Sequence, residues 1–209
     1  MSLPQRIPER TEPVGKAEAI LAAAERAFLA GGFGAVTMDM IAREAGASKA
    51  TVYAHFTSKE ALFGAVIVEL SERRYAGFSA EALDPADIEA SLTTIASRFL
   101  DLVLAPEVIA LNRTIIGEVA RFPVLGEVFW AAGPERTRAQ IEAFLRRAAA
   151  AGSLRLPDPR LATEQFIALA RGEIHLRSLL RLEHPGNPAG LQAAADSTVA
   201  TFLRAFAAR

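Results

Sequence analysis

The chain has 209 residues, and its 23 basic residues are balanced by 24 acidic ones to give a formal net charge of -1. This balance excludes a basic tail protein and a highly charged disordered chain, and it does not by itself mark a nucleic-acid binder. Hydrophobic residues make up 51% of the chain, which is ample for a packed core in one large or two small domains. The absence of cysteine excludes disulfides, thiolate zinc sites and cysteine nucleophiles.

No segment has the composition of a membrane anchor or a secretory signal. The N-terminus has no long apolar run, and apolar stretches such as residues 61–68 are far shorter than the roughly 18 residues that a spanning helix needs. Residues 1–14 contain three prolines and little periodicity, and we expect them to form a disordered tail. We therefore expect a cytoplasmic protein with no membrane partner.

Apolar residues recur at helical spacing through nearly all of the remaining chain, and no alternating strand pattern is present. In the N-terminal part, Gly31 and Gly32 should end the first helix, and Thr37, Ser48 and Ser58 are natural N-caps for the next three. The predicted helices of this part cover residues 16–30, 38–45, 49–56 and 58–80.

In the second half, proline stands at the start of each predicted helix, where its missing N–H group is not needed. These helices are predicted over residues 85–104, 106–121, 123–151, 159–182 and 188–208. Gly133-Pro134 should kink or split the long third one, and the sequence does not decide between the two. The predicted fold class is all-α, with a helix-turn-helix domain over residues 15–60 and a larger helical bundle over residues 61–209.

The segment 37–59 has the pattern of a helix-turn-helix, in which two short helices are joined by a tight turn containing Gly46. The second helix of such a motif lies in the DNA major groove, with apolar residues anchoring one face and small or polar residues on the other. In the predicted helix 49–56, Val52 and Phe56 should point inward. Four residues are then left to face the DNA, namely Lys49, Ala50, Thr51 and Tyr53.

Local charge and residue type agree with a DNA contact, because no acidic residue lies between Glu44 and Glu60. Lys49 and Ala50 begin the second helix, where base edges are usually met. Groups suited to phosphate contacts come from Thr37, Ser48, Thr51, Tyr53, His55 and Lys59. His55 fits local packing and capping equally well, and the whole segment also fits a plain helical hairpin in an all-α core.

This segment resembles the N-terminal domain of the TetR family of transcriptional regulators over about residues 16–75. The matching residues are Ala24, Phe28, Gly32, Phe33, Thr37, Ile41-Ala42, Ala45-Gly46-Ala47-Ser48, Val52-Tyr53-Ala54-His55-Phe56 and Ser58-Lys59-Glu60-Ala61-Leu62. The resemblance implies a dimer that binds palindromic, double-stranded operator DNA. Ala54 departs from the family pattern, in which a second aromatic or a polar residue often stands, and this removes one candidate DNA contact.

The C-terminal half resembles the AefR-like subgroup more loosely. The matching residues are Arg113, Glu118, Arg121-Phe122-Pro123, Leu125, Phe129, Gly133-Pro134, Phe166 and Arg171-Gly172. The resemblance implies that this half binds a small-molecule effector and forms the homodimer through the helices 159–182 and 188–208. It also implies a ligand-responsive regulator, most often a repressor, whose effector shifts the spacing of the two DNA-reading helices through the helix 58–80.

A small, largely apolar effector would bind between the helices of residues 85–182. The candidate ligand-binding residues are Phe99, Val103, Arg113, Ile116, Trp130, Phe166 and His175. Each apolar member fits an ordinary core position as well. Arg113, which interrupts the apolar stretch 108–116, also fits an ion pair, and His175 also fits the dimer interface.

Two other classes of function compete with this interpretation. An enzyme lacks support, because the sequence has no pair of Glu-x-x-His motifs for a di-iron site, no nucleophile elbow and no phosphate-binding loop. A helical scaffold that binds only protein does not explain the acid-free segment with its capped helix. We expect no catalytic residue, no metal and no cofactor, and a scaffold or an enzyme without DNA binding remains the alternative.

Overall fold

A computed structural model of the chain describes residues 15–74, 80–182 and 188–208. These residues form ten α-helices and no β-strand, which confirms the all-α class. The helices are α1 (Lys16–Ala35), α2 (Met38–Glu44), α3 (Lys49–His55), α4 (Lys59–Arg74), α5 (Ile88–Val103), α6 (Pro106–Glu118), α7 (Val124–Ala132), α8 (Pro134–Ala150), α9 (Pro159–Leu179) and α10 (Pro188–Phe206). The predicted tail, residues 1–14, and the predicted end of the fourth helix, residues 75–79, lie outside the described residues. Within the described ranges, no helix has the length and apolar character needed to cross a membrane.

The helical backbone of α1 is interrupted at Gly32, within the glycine pair that the sequence predicts as the end of the first helix. Gly32 has a φ of 73° and a ψ of 172°, in the left-handed region that favours glycine. A short helical segment follows across this kink to Ala35, so the regular helix ends as predicted and α1 extends beyond that point. Farther along the chain, Gly133 separates α7 from α8, so the segment 123–151 is split into two helices.

The first hydrophobic core lies between the three N-terminal helices and the helices α4, α6 and α7. Its aromatic centre consists of Phe28, Phe33 and Phe63, whose ring centroids lie 5.1 to 5.8 Å apart. Leu111 of α6 and Leu125 of α7 are buried in the same cluster. The predicted division at residue 60 is therefore not a break in packing, and it stays a prediction about function.

The second hydrophobic core lies between α5, α8, α9 and α10. Phe166 of α9 and Phe202 of α10 are both fully buried there and meet edge to face, with 5.2 Å between their ring centroids. The end of α10 is tied to the loop after α8, because the backbone N–H of Arg155 donates to the carbonyl oxygen of Phe206 at 2.8 Å. This core therefore packs α5, α8, α9 and α10 against one another.

The bend in α1 docks this helix on the end of α6. The carboxylate Oε2 of Glu118 accepts the backbone N–H of Gly34 at 2.6 Å, and the ring of Phe122 meets Phe33 edge to face at 5.6 Å. A Cβ atom added to Gly32 would lie 2.2 Å from Oε1 of Glu118. We call this contact the α1–α6 joint, formed by Gly32, Phe33, Gly34, Glu118 and Phe122.

Replacing Gly32 with alanine should lower the free energy of unfolding by about 2 kcal/mol or more, because the left-handed φ and the contact with Glu118 both oppose a side chain. Chemical denaturation followed by circular dichroism measures this loss. Gly117→Ala is a matched control in an exposed position of α6, where an added Cβ meets nothing within 4 Å. The control should change stability little or raise it by about 0.5 kcal/mol. Equal effects of the two substitutions would contradict the role of the joint.

Candidate DNA-binding and effector-binding sites

Helices α2 and α3 are joined by a turn that is fixed by local hydrogen bonds. At the start of α2, Oγ1 of Thr37 accepts the backbone N–H of Met40 at 3.2 Å. Beyond its end, the N–H of Ala47 donates to the carbonyl oxygen of Ala42 at 2.9 Å, and Gly46 has a left-handed φ of 62°. This closed turn sets the angle between the two helices.

Helix α3 begins at a second cap and is anchored by its inner face. Oγ of Ser48 accepts the N–H of Thr51 at 3.0 Å, and the two hydroxyl groups share a further hydrogen bond of 2.8 Å. Val52 is fully buried, and Phe56 is half-buried against the first core. The opposite face of α3 is therefore turned to solvent, as the helix-turn-helix pattern predicts.

Most of the predicted DNA-contacting side chains lie on this solvent face or at its caps. The exposed ones are Thr37, Ser48, Lys49, Ala50, Tyr53 and His55. Thr51 is half-buried. Lys49 already has a partner within the motif, since its Nζ lies 2.9 Å from Oδ1 of Asp39 on α2. The hydrogen bond and the charge of Asp39 raise the pKa of Lys49 above its usual value.

Lys59 has a different position from the free phosphate-binding lysine that the sequence predicts. Its Nζ donates to the carbonyl oxygens of Phe33 at 2.8 Å and Val36 at 2.9 Å, and it lies 4.1 Å from the centroid of the Phe33 ring. Two of the three N–H groups of the ammonium are therefore used within the protein. The side chain holds the end of α1 against the start of α4, next to the α1–α6 joint.

A cavity of about 350 Å³ lies between α4, α5, α6, α7, α8 and α9. Its wall is mainly apolar, and each of several helices contributes a large side chain, such as Leu70 of α4, Leu111 of α6 and Phe129 of α7. Four of the predicted ligand-binding residues line it, namely Phe99, Val103, Trp130 and His175. The size and the lining suit a small apolar molecule.

Three of the predicted ligand-binding residues do not line this cavity. Nη2 and Nε of Arg113 donate to the carbonyl oxygens of Ser178 at 2.6 Å and Leu179 at 2.8 Å, so this side chain holds the end of α9. Ile116 is 62% exposed on α6, and Phe166 is fully buried in the second core. Helical spacing predicts that Ile116 and Phe166 point inward, and Arg113 is a candidate because it interrupts an apolar stretch. Such spacing does not distinguish a residue of the core from one that lines a cavity.

Polar side chains on the cavity wall were not among the predicted residues. They are Ser71, Asn112, Thr137, Arg138, Glu164 and Arg171. Helical spacing from His175 does not mark Arg171, because the helical backbone is interrupted at Gly172 between them, although both residues line the cavity. Burial, and then the charge of Arg171, lower the pKa of His175 to about 4, so the imidazole is neutral at pH 7.

Models of known protein families match both parts of the chain. One for bacterial regulatory proteins of the tetR family matches residues 20–66, which contain α2, the turn and α3. One for the C-terminal domain of AefR-like transcriptional repressors matches residues 90–208, more than half of the chain. The chain belongs to the TetR family of transcriptional regulators.

Solved structures of other TetR-family proteins have the same architecture. The flavonoid-responsive regulator FrrA is 36% identical over 93% of this chain and 98% of its own, with a TM-score of 0.76. A regulator from Mesorhizobium loti is 29% identical over 95% of this chain and 100% of its own, with a TM-score of 0.77. A regulator from Agrobacterium tumefaciens is 26% identical over 93% of this chain and 96% of its own, with a TM-score of 0.79. No curated protein matches the chain significantly in sequence.

Membership of the TetR family makes the chain a transcriptional regulator and not an enzyme. Regulators of this family are ligand-responsive repressors that bind operator DNA as dimers and bind small-molecule effectors. The class of function predicted from the sequence is therefore confirmed.

Lys59→Ala should lower the free energy of unfolding by about 2 kcal/mol, because it removes two hydrogen bonds from a charged donor and a cation–π contact. Urea denaturation measures the change. Lys16→Ala, which removes the same charge from the exposed start of α1, serves as the control and should have little effect. If Lys59→Ala weakened DNA binding without loss of stability, the lysine would be a phosphate ligand after all.

Proposed function

We propose that the chain is a ligand-responsive repressor in which residues 15–60 read operator DNA and residues 61–209 bind the effector and form the dimer. The observation that carries this proposal is the course of α4. The helix begins at Lys59, whose ammonium holds the end of α1, and two to three turns later it contributes Ile67 and Leu70 to the cavity wall. One helix thus connects the cavity to the helix-turn-helix.

The proposed contacts with operator DNA come from the exposed side of the α2–α3 unit. They are Thr37, Ser48, Lys49, Ala50, Thr51, Tyr53 and His55. Lys49 and Ala50 stand at the start of α3, where base edges are met, and the hydroxyl groups suit phosphate oxygens. Lys59 is reassigned from phosphate contact to the positioning of α1. Because the target is operator DNA, we place the action of the protein in the cytoplasm.

The proposed effector is a planar aromatic molecule. Support comes from the aromatic side chains Phe99, Phe129 and Trp130 on the cavity wall, which suit stacked or edge-to-face contacts with a ring. FrrA, at 36% identity over nearly its whole length, is named as flavonoid-responsive, and flavonoids are compounds of this kind. Trp130 is 56% exposed, and we assign it to the mouth of the cavity.

The proposed dimer interface consists of α9 and α10. Large apolar side chains are exposed on both sides of Gly172, where the helical backbone of α9 is interrupted: Leu169 lies before this glycine, and Leu176 and the C-cap residue Leu180 lie after it. Along α10, small exposed residues follow at intervals of three and four, including Ala193, Ser197 and Ala200. Exposed leucines beside a smooth small-residue face are suited to pack on a second copy about a two-fold axis.

We propose that the effector acts on α4 and α6 together. Helix α6 contributes Val108, Leu111 and Asn112 to the cavity wall and ends at Glu118 in the α1–α6 joint. Arg113 on the same helix holds the end of α9, a proposed dimer helix. A ligand that favours one position of α6 would therefore favour one spacing of the two α3 helices in the dimer.

Thr51→Glu should abolish operator binding, because it places a negative charge on the side of α3 that faces the phosphates. The change should leave α3 folded, since glutamate three residues after the Ser48 cap completes a capping box. Fluorescence anisotropy with duplexes selected from a random library measures the binding. Arg155→Glu, at an exposed position in the loop after α8, is the control and should bind normally. Selection of no duplex by the unchanged protein would contradict DNA reading altogether.

Leu176→Glu should convert the dimer to a monomer, because it places a charge in the middle of the proposed apolar interface. Light scattering coupled to size exclusion gives the mass. Ile116→Glu is a matched control, since Ile116 is similarly exposed, at 62% against 56%, but lies on α6. A dimer that survives Leu176→Glu would rule out α9 as the interface.

A further inference from the structure

The effector cavity carries ionisable groups as well as apolar ones. Within the part of the chain that the structure describes, four ionisable side chains line the wall: Arg138 of α8, and Glu164, Arg171 and His175 of α9. The charge that a ligand meets in this cavity depends on which of them already have partners.

Arg138 and Glu164 have partners outside the ligand space. Arg138 donates to the carboxylates of Glu135 and Glu142 on its own helix, so its charge is compensated twice. Glu164 forms an ion pair with Arg160 one turn before it, with Nε 3.3 Å from Oε1. Neither side chain needs a charged group from a ligand.

Arg171 has no such compensation. It forms no ion pair or hydrogen bond with any residue in the described ranges, although Glu164 stands two turns before it on the same helix. Burial against the cavity wall lowers the pKa of its guanidinium, while part of the side chain stays in solvent. His175, which follows the break in α9 at Gly172 and lines the same cavity, is neutral at pH 7 and offers a hydrogen bond beside this cation. The apolar cavity thus has one cationic end.

Arg171 is an exposed residue, and an apolar ligand that filled this cavity would displace the part of its solvating water that lies on the cavity side. The removal of water from an unpaired guanidinium is costly, and the cost is offset when the ligand brings an anionic oxygen. A carboxylate or a phenolate also matches the planar fork of guanidinium donors. The ligand chemistry that suits the whole cavity therefore combines an aromatic body with an acidic group.

We propose that the effector is an aromatic acid whose anionic oxygen group binds Arg171, with its ring against Phe99 and Trp130 and with a hydrogen bond from His175. This inference rests on the proposed function, because it assigns the chemistry of the ligand in the same cavity. It adds Arg171 as the residue that selects anionic over neutral aromatic compounds.

The test compares 2-naphthoate with 2-naphthamide, which have the same ring and differ in charge, by isothermal titration calorimetry on the full-length protein. Naphthoate should bind at least about tenfold more tightly than naphthamide. Arg171→Gln should reduce this ratio to about one, and Arg171→Lys should keep part of it. Arg155→Gln, which removes the same charge from an exposed position in the loop after α8, away from the cavity wall, should leave the ratio unchanged.

Two further measurements locate the binding and separate the outcomes. Val103→Phe should fill the cavity and weaken both compounds, and unchanged binding would mean that they bind elsewhere and would overturn the proposal. Light scattering of Arg171→Gln should give the dimer mass, and a monomer would make Arg171 an interface residue instead. If naphthamide binds as tightly as naphthoate and releases operator DNA, the proposal of an anionic group on the effector is overturned, while the proposal of an aromatic effector is supported. If neither compound binds, both the acid and the aromatic effector fail.

Discussion

The α1–α6 joint is the contact on which the rest of the molecule depends. A glycine with left-handed φ allows α1 to bend towards α6, and the carboxylate of Glu118 then binds the backbone of Gly34 at 2.6 Å. Lys59 closes the same region from the other side by holding the carbonyl oxygens at the end of α1. The helix-turn-helix is thereby fixed to the two helices, α4 and α6, that form part of the cavity wall.

This arrangement is the physical basis of the proposed coupling between the cavity and DNA binding. A packed interior resists gradual deformation, so a ligand that changes the position of α6 must move its whole length. Glu118 at the end of α6 accepts a hydrogen bond from the backbone of α1, and Arg113 on the same helix donates to carbonyl oxygens in the last turn of α9. Hydrogen bonds to backbone groups therefore connect the cavity to the DNA-reading unit and to the proposed dimer helices. Because the partner in each bond is a backbone group, a substitution of the partner residue's side chain does not remove the bond.

The features that the sequence predicted correctly are the local ones. The caps Thr37 and Ser48, the turn at Gly46 and the inward Val52 all depend on residues within four positions of each other, and the structure has each of them. The missed features join distant residues. Lys59 binds carbonyl groups 23 and 26 residues away, and Arg113 binds carbonyl groups 65 and 66 residues away. Since a carbonyl group is present at every position, no residue type in the sequence marks the partner of such a side chain. Likewise, apolar spacing places Phe166 and Phe99 on inward faces, but only the packing of other helices decides which of them borders empty space.

The ion pair between Lys49 and Asp39 has a consequence for how the protein searches for its target. Two of the three lysines lie in the acid-free segment, yet Lys49 is paired with an acid on the preceding helix and Lys59 is tied to the end of α1. An exposed pair of this kind is weak, so a well-placed base or phosphate can displace Asp39. On unrelated DNA, where no such acceptor is in register, the pair keeps the attraction to the phosphate backbone weak. The regulator should therefore leave random sequence quickly and spend its residence time at the operator, which suits a nearly neutral protein that must find one site among very many.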